Sequence, residues 1–367
     1  MYNETELNYI WLDSFAIPFK KRKNIISLCG GINFVKAKLI ANESSFEKYL
    51  SIEQINAMKN ALTEEYITKI IETLNNYAIK ALTIESVGYP EQLKSTSEPP
   101  MVLYVIGDYE IFNSKKCFAV VGTRRATYYG REVCSRFCET LIDAGLILVS
   151  GLAFGIDTCV AETAVSKSAQ TIAVLAGGLD SIYPSQNQDL SRRILSNGGA
   201  LVSEYPPGIK PTKFSFLERN RIISGLSLGV LVVEAGEHSG AEATANDCIE
   251  EGRELFVIPG NITSASSAGC NKIINAYPTV FCISPKQILK SLNINIEEKN
   301  QDDNNAQLTL EENLVLDCLN DEKSVDEICE DTKLLPNIVI TALTSLEMLG
   351  LIKKTSGNYY VKITLKN

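Results

Sequence analysis

The order of apolar and polar positions changes rhythm twice along the chain. Over residues 1–75, LNYIWLDSF, IISLCGGINFVKAKLIA and TEEYITKIIETLNNY set apolar residues three and four apart, with breaks at Pro18 and Gly30-Gly31. That spacing lines one face of a helix, so this part is expected to be a domain of short helices. From 76 to 293, short apolar runs rich in β-branched residues take over: KCFAVVG (116–122), LILVSG (146–151), TIAVLAGG (171–178), ALVSEY (200–205), GVLVVEA (229–235) and ELFVIPG (254–260). Helical patterns near 130–144, 157–168, 186–197, 216–226 and 240–252 separate them. Continuous apolar strands joined by crossover helices predict a mostly parallel sheet covered on both faces, a doubly wound α/β domain. IKALTIESVGYP and PPMVLYVIGD, within 79–110, predict an edge hairpin or lead-in strands.

A third rhythm begins after residue 293. Residues 294–306 are polar and acidic, with almost no apolar content, and read as a linker. Residues 307–367 then give helical patterns at 309–320, 324–331 and 336–349, followed by GLIKKTSGNYYVKI, a hairpin turning at Ser356-Gly357. Three helices and a two-stranded wing make a winged-helix arrangement.

Charge first argues against nucleic acid. The chain carries 35 Lys+Arg against 44 Asp+Glu, a net charge of −9, whereas nucleic-acid-binding domains are usually basic. The deficit is unevenly spread. Residues 1–110 hold 11 basic and 14 acidic side chains, 111–293 hold 17 and 16, 294–306 hold 1 and 4, and 307–367 hold 6 and 10. The α/β domain is therefore close to neutral, and any binding of a polyanion there rests on local placement of a few cations.

The composition, 45% hydrophobic and 22% charged, is that of a soluble globular protein. No run approaches the roughly 20 apolar residues that span a bilayer, and the start MYNETELNY lacks a signal-peptide pattern. A cytoplasmic protein without membrane insertion is expected. The ten cysteines form no CxxC pair, and His238 is the only histidine. That predicts structural thiols in a reducing compartment and no metal site, and it disfavours a Ser-His or Cys-His mechanism.

Four predicted strand ends run into small-residue turns: VVGTRRATYYG, VSGLAFGIDT, LAGGLDSIYP and VVEAGEHSGAEATA. In an open α/β sheet, ligands bind outside the carboxyl ends of the strands, and glycine turns beside helix N-termini suit phosphate. A dinucleotide would need GxGxxG after the first strand, but that turn reads Gly122-Thr123-Arg124-Arg125, and no GxxxxGK[ST] occurs. No cofactor is expected. What remains is a basic rim with aromatic residues between: Arg124 and Arg125 leave one strand, and KPTKFSFLERNR supplies Lys210, Lys213, Phe214, Phe216, Arg219 and Arg221. Guanidinium groups bind phosphate and rings stack on unpaired bases, a combination suited to single-stranded nucleic acid. The competing expectation is structural, with Arg219 or Arg221 paired internally to Glu218 or Glu234 and the phenylalanines in the core.

At these residues the chain resembles the DNA-processing protein A family (DprA, also called Smf) of bacterial natural transformation. The resemblance is carried, in order, by VGTRRATYYG, SGLAFGID, GGLDSIYPSQNQDL, SEYPPG, FLERNRIISGLS, VLVVEAGEHSGAEATA, EEGRELFVIPG and AGCNKII, spanning about 88–276. It implies an extended Rossmann-like domain at 76–293, a sterile-alpha-motif-like helical domain at 1–75 and a winged helix at 307–367. It also implies a homodimer formed through the Rossmann-like domain, which binds and protects incoming single-stranded DNA without nucleotide hydrolysis and loads the RecA recombinase onto it. By motif, Gly122, Thr123 and Arg124, then Lys213, Phe216, Arg219, Asn220 and Arg221, would line the DNA pocket. Gly151 and Gly155 would present backbone N–H groups to phosphates, and Ser239 and Gly240 would open the last loop of the same face.

Three positions depart from the family pattern: Leu217 replaces a proline, Ala161 a histidine, and Glu242 an apolar residue. Two other functions stay in view. One is a phosphoribohydrolase-like enzyme on a similar scaffold, whose PGGxGTxxE turn GEHSGAEATA does not reproduce; the other is a DprA-like protein with a regulatory or defence role. The third helix of the winged unit, PNIVITALTSLEMLG, contains no Lys or Arg, so this unit is expected to bind protein rather than DNA.

Overall fold

A computed structural model gives the structure of residues 2–114, 116–237, 239–294, 308–319, 321–355 and 359–363. His238, the turn at Ser356-Gly357 and the linker beyond residue 294 lie outside these residues. The chain divides into two compact units, Met1–Ile296 and Glu297–Asn367. Among the described residues no single helix is long and apolar enough to cross a membrane.

The first unit is built on a nine-stranded sheet. Its strands are β1 (Lys80–Thr83), β2 (Val102–Gly107), β3 (Cys117–Val121), β4 (Ile147–Ser150), β5 (Thr171–Val174), β6 (Ala200–Ser203), β7 (Gly229–Val232), β8 (Glu254–Val257) and β9 (Val280–Phe281). They lie in the order β1-β2-β6-β5-β4-β3-β7-β8-β9. β1 pairs antiparallel with β2, and β2 with β6; every other pairing is parallel. The lead-in hairpin and the parallel body therefore follow the apolar pattern. All five residues of β3 are buried, as a strand covered on both faces requires. β9, two exposed residues long, carries no such signal.

The crossover helices are those expected: α7 (Tyr128–Asp143), α8 (Ile156–Ser166), α9 (Gln188–Ser196), α10 (Lys213–Gly225) and α11 (Ala241–Glu250). Side chains start two of them. Thr127 accepts from the Gly130 N–H ahead of α7, and Thr212 forms a capping box with Ser215 ahead of α10, a kind of cap that contributes about 1 kcal/mol. Two further helices, α12 (Ala268–Ala276) and α13 (Pro285–Ser291), follow β8.

Ahead of the sheet run α1 (Glu4–Asp13), α2 (Phe19–Cys29), α3 (Val35–Ala41), α4 (Ile52–Asn60) and α5 (Glu64–Asn76), with α6 (Glu91–Lys94) between β1 and β2. The apolar pattern predicts all of α1–α5 except α4. These helices do not close a core of their own. Trp11, Ile25, Leu39 and Met58 belong to one buried cluster with Val102, Tyr104 and Leu201 of the sheet. Polar contacts cross the same boundary, since the Tyr104 hydroxyl donates to Asp13 Oδ2 at 2.9 Å.

The second unit holds α14 (Leu310–Cys318), α15 (Val325–Thr332) and α16 (Pro336–Met348), with a small sheet ordered β10 (Lys323–Ser324), β12 (Tyr359–Lys362), β11 (Ile352–Lys354). Its core is Val315, Leu319, Ile328, Val339, Leu343, Leu346 and Ile352. Three helices and a hairpin in that order form a winged helix.

Strand order reverses at β3. From it the chain proceeds through β4, β5 and β6 on one side and β7 and β8 on the other. The crevice outside the carboxyl ends of β3 and β7 is thus the switch point at which doubly wound folds place a ligand.

Candidate nucleic-acid interface

The two loops flanking the switch point are tied to each other. The Thr123 N–H donates to Glu234 O at 2.7 Å, and the Ile156 N–H donates to Thr123 O at 3.1 Å. The Glu234 carboxylate, 3% exposed, accepts from the Thr127 N–H at 2.8 Å and the Thr127 hydroxyl at 2.7 Å. Glu234 therefore fixes the start of α7 and, with it, the turn bearing Arg124 and Arg125, both exposed. Its partner is Thr127, not one of the arginines.

The expected phosphate nest is packed against protein. Gly151 and Gly155 are buried, and of GLAFG only Phe154 is exposed. A Cβ on Gly155, whose φ is +82°, would meet Thr123 O at 2.2 Å; one on Gly151 would meet the Arg219 guanidinium at 1.9 Å. These glycines are required because two loops and a side chain approach the backbone there, and both positions are covered by protein.

Arg219 is likewise internal, at 4% exposure. Its Nη1 donates to Gly151 O at 2.7 Å and also to Val174 O, and its Nε donates to Asn220 Oδ1 at 3.2 Å. The guanidinium thus joins the ends of β4 and β5 to α10, and Asn220, 9% exposed, is spent on holding it. Burial pushes the Asp157 carboxyl above its usual range, and the charge of Arg219 opposes that shift. Arg219 and Asn220 shape the floor of the site and do not line its surface.

What faces outward is a smaller group. The Arg124 guanidinium lies 4.3 Å from the centroid of the Phe216 ring, and Tyr183 lies beside that ring with centroids 5.9 Å apart. Tyr183 is 52% exposed, and Lys213, one turn before Phe216, is exposed as well. Tyr183 and Phe216 line a shallow recess with Gly177 and Pro211. Gly177 must be glycine, since a Cβ would meet Ile209 O at 2.9 Å. Sequence reasoning did not single out Tyr183, although it sits inside GGLDSIYP; Tyr128 and Tyr129, exposed at the start of α7, were missed in the same way.

Arg221 is on another side of α10. It pairs with Glu204, whose side chain is 7% exposed, and not with Glu218, which accepts from the Tyr205 hydroxyl at 2.5 Å. Gly122 ends β3 with the Ile156 side chain where its Cβ would be, and Gly240, ahead of α11, is open and exposed. Ser239 accepts from the Ala241 N–H at 3.3 Å. The Glu242 carboxylate is paired with Lys272 at 2.9 Å, which offsets its negative charge on this edge. Ala161 is buried and Leu217 is 49% exposed.

Comparison with known proteins agrees with this arrangement. The DNA recombination-mediator protein A family model matches residues 80–293, and the DprA winged helix domain model matches 299–358. Protein Smf of Escherichia coli K12 is 36% identical over 297 residues, covering 79% of this chain and 78% of its own. The DNA processing protein DprA of Bacillus subtilis is 38% identical over 220 residues, covering 59% and 74%. The X-ray structure of DprA from Streptococcus pneumoniae superposes with a TM-score of 0.66 at 28% identity, covering 77% of this chain and 97% of that one. DprA from Helicobacter pylori, solved for its single-stranded DNA binding mode, gives 0.53 at 29%, covering 59% and 95%. With the family model spanning the whole sheet and the glycine, arginine and aromatic motifs gathered at its switch point, the chain belongs to the DprA/Smf family of DNA recombination mediators.

Proposed function

We propose that this protein binds single-stranded DNA, without catalysis, across the carboxyl edge of β3, β5 and β7. Arg124 and Lys213 meet phosphates, Phe216 and Tyr183 stack bases, and the Gly122-Thr123 turn and the Ser239-Gly240 loop flank the strand. The observation that carries this reading is the cation held over a ring, with a second, half-exposed ring beside it. Base stacking tolerates any sequence, because every base offers a π-face, while the cations follow the backbone. An α/β unit near charge neutrality then binds DNA by placement, not by bulk field.

On this reading the protein works in DNA processing during natural transformation, protecting incoming strands and loading RecA onto them as a homodimer joined through the α/β unit. Along the chain this gives a helical segment at 1–75 that shares its core with the sheet of 76–293, a linker at 294–306, and the winged unit at 307–367. The winged unit binds protein: α16 carries no Lys or Arg, and Leu335 and Ile340 are exposed on it or at its start.

The test is fluorescence anisotropy of labelled oligo(dT) at low salt. Arg124→Glu should abolish binding with the melting temperature unchanged. No anisotropy change with the unmodified protein overturns the reading, and release of a base from a nucleoside monophosphate would replace it with the phosphoribohydrolase-like one.

A further inference from the structure

The loop after β4 holds one exposed aromatic side chain, Phe154, among buried neighbours. β4 lies between β3 and β5, so this loop stands between the Arg124 turn and the loop that bears Tyr183. Neighbouring strands are about 4.8 Å apart, which puts the ends of β3 and β5 roughly 10 Å from each other with Phe154 on the strand between. A Cβ on Gly155 would lie 2.7 Å from the Arg124 carbonyl carbon, so Phe154 and Arg124 come from backbones in contact.

The loop is held at the carbonyls around Phe154. Gly151 O accepts from Arg219 at 2.7 Å, and Leu152 O accepts from Asn187 Nδ2 at 2.9 Å. Ala153 O accepts from the Thr158 hydroxyl at 2.7 Å, and Gly155 O from the Cys159 N–H at 3.1 Å. Asn187 follows Tyr183 by four residues, so the two loops are tied to each other. Leu152 has φ +55°, a left-handed setting unfavourable to a bulky side chain. Leu152 and Ala153 are 1% and 6% exposed, yet Phe154 is left 43% exposed. A fixed and strained loop that covers two apolar residues and holds a ring in water points to a role for the ring.

A phenyl group has neither charge nor hydrogen-bonding atoms, so it offers a ligand apolar area and a π-face. The bases of an unpaired strand present matching faces, which a duplex spends on its own stacking. Arg124 and Arg125, exposed on the adjoining turn, supply cations for the backbone of such a strand. Beyond them Tyr128, 81% exposed on the first turn of α7, continues the row of rings.

We propose that Phe154 is a further base-stacking residue, which carries the strand from the Tyr183–Phe216 pair across the end of β4 toward Tyr128. This deepens the proposed single-strand site and rests on it.

Full-length protein is titrated with labelled oligo(dT) at low salt. Phe154→Ala, an exposed change, should weaken binding about fivefold or more with the melting temperature unchanged, and Phe154→Leu should weaken it similarly. Phe154→Trp should retain the affinity and adds a reporter, because the chain's only tryptophan, Trp11, is buried. The new indole should be quenched as oligo(dT) binds, and much less by an abasic strand of equal length. If oligo(dT) binds and Arg124→Glu abolishes that binding, but Phe154→Ala stays within twofold and the indole is not quenched, this proposal falls and the single-strand site stands. Weaker binding in Phe154→Ala without quenching in Phe154→Trp also overturns it, by making the ring a support for the loop. No binding of oligo(dT) to the unmodified protein overturns both.

Discussion

The Arg124 guanidinium sits 4.3 Å from the centroid of the Phe216 ring, joining the turn after β3 to the first turns of α10. The contact brings a guanidinium and an aromatic ring together, although 92 positions separate them in the chain. Phe216→Ala should therefore lower oligo(dT) affinity by about 1–3 kcal/mol, the usual worth of one base–aromatic stack, and Phe216→Tyr should retain most of it. Anisotropy titrations of both variants check this. An unchanged affinity in Phe216→Ala would remove the ring from the binding surface.

Arg219 should behave differently from Arg124. Its guanidinium bridges Gly151 O and Val174 O from a buried position, so Arg219→Ala leaves two carbonyls unpaired, opens a cavity and strips the charge from beside Asp157. A loss of about 3–5 kcal/mol is expected, read by chemical denaturation. Gly151→Ala should act in the same direction, because its Cβ would overlap that guanidinium. A variant that loses DNA binding at full stability would instead put Arg219 on the surface of the site.

Acid dependence has an identifiable contributor in Asp247. Burial, and after it the neighbouring Glu250, push its carboxyl up to about 6. A carboxyl with a higher pKa folded than unfolded holds its proton more tightly when folded, so ionisation opposes folding. The favourable contribution is complete below about pH 4, the unfolded value, and is lost as pH rises through 6. Asp247→Asn should be more stable than the unmodified protein by roughly 1–2 kcal/mol at pH 7.5 and equal to it near pH 4. Urea denaturation at the two pH values reads the difference. A constant offset between the curves would assign the effect to packing.

Removing the winged unit separates its role from that of the sheet. A chain ending at residue 296 retains every residue of the proposed DNA edge and sheds a segment rich in acidic side chains. Its oligo(dT) affinity should stay within a few-fold of the full chain; a collapse would give the winged unit a direct part in binding.

The sheet was legible because its strands are buried on both faces and so read as unbroken apolar runs. β9 was not, since two exposed residues make no pattern. α4 escaped because IEQINAMKN has few apolar residues to mark a face, although Ile55 and Met58 are buried in it. At the site, the motif FLERNR put Arg219 and Arg221 on one short stretch and suggested one task for both. Two positions apart on a helix is about 200°, so they face different surroundings. Arg219 turns into the strand ends, and Arg221 turns to Glu204, a partner supplied by SEYPPG and not by Glu218 or Glu234. Chain spacing gives the angle between two side chains but not what packs against each. The glycines of GLAFG illustrate the same limit. A close approach was correctly implied, but the approaching groups are Thr123 and Arg219.

The proposed function has a nearly neutral α/β unit bind single strands through a few placed cations and rings. Its most direct test is a salt titration of affinity for oligo(dT) and for a duplex of equal length. The single strand should bind more tightly than the duplex at every salt concentration, with log K falling linearly against log salt and a slope that becomes shallower by about one contact in Arg124→Ala. Equal affinity for duplex and single strand, or a slope unchanged by Arg124→Ala, would contradict it.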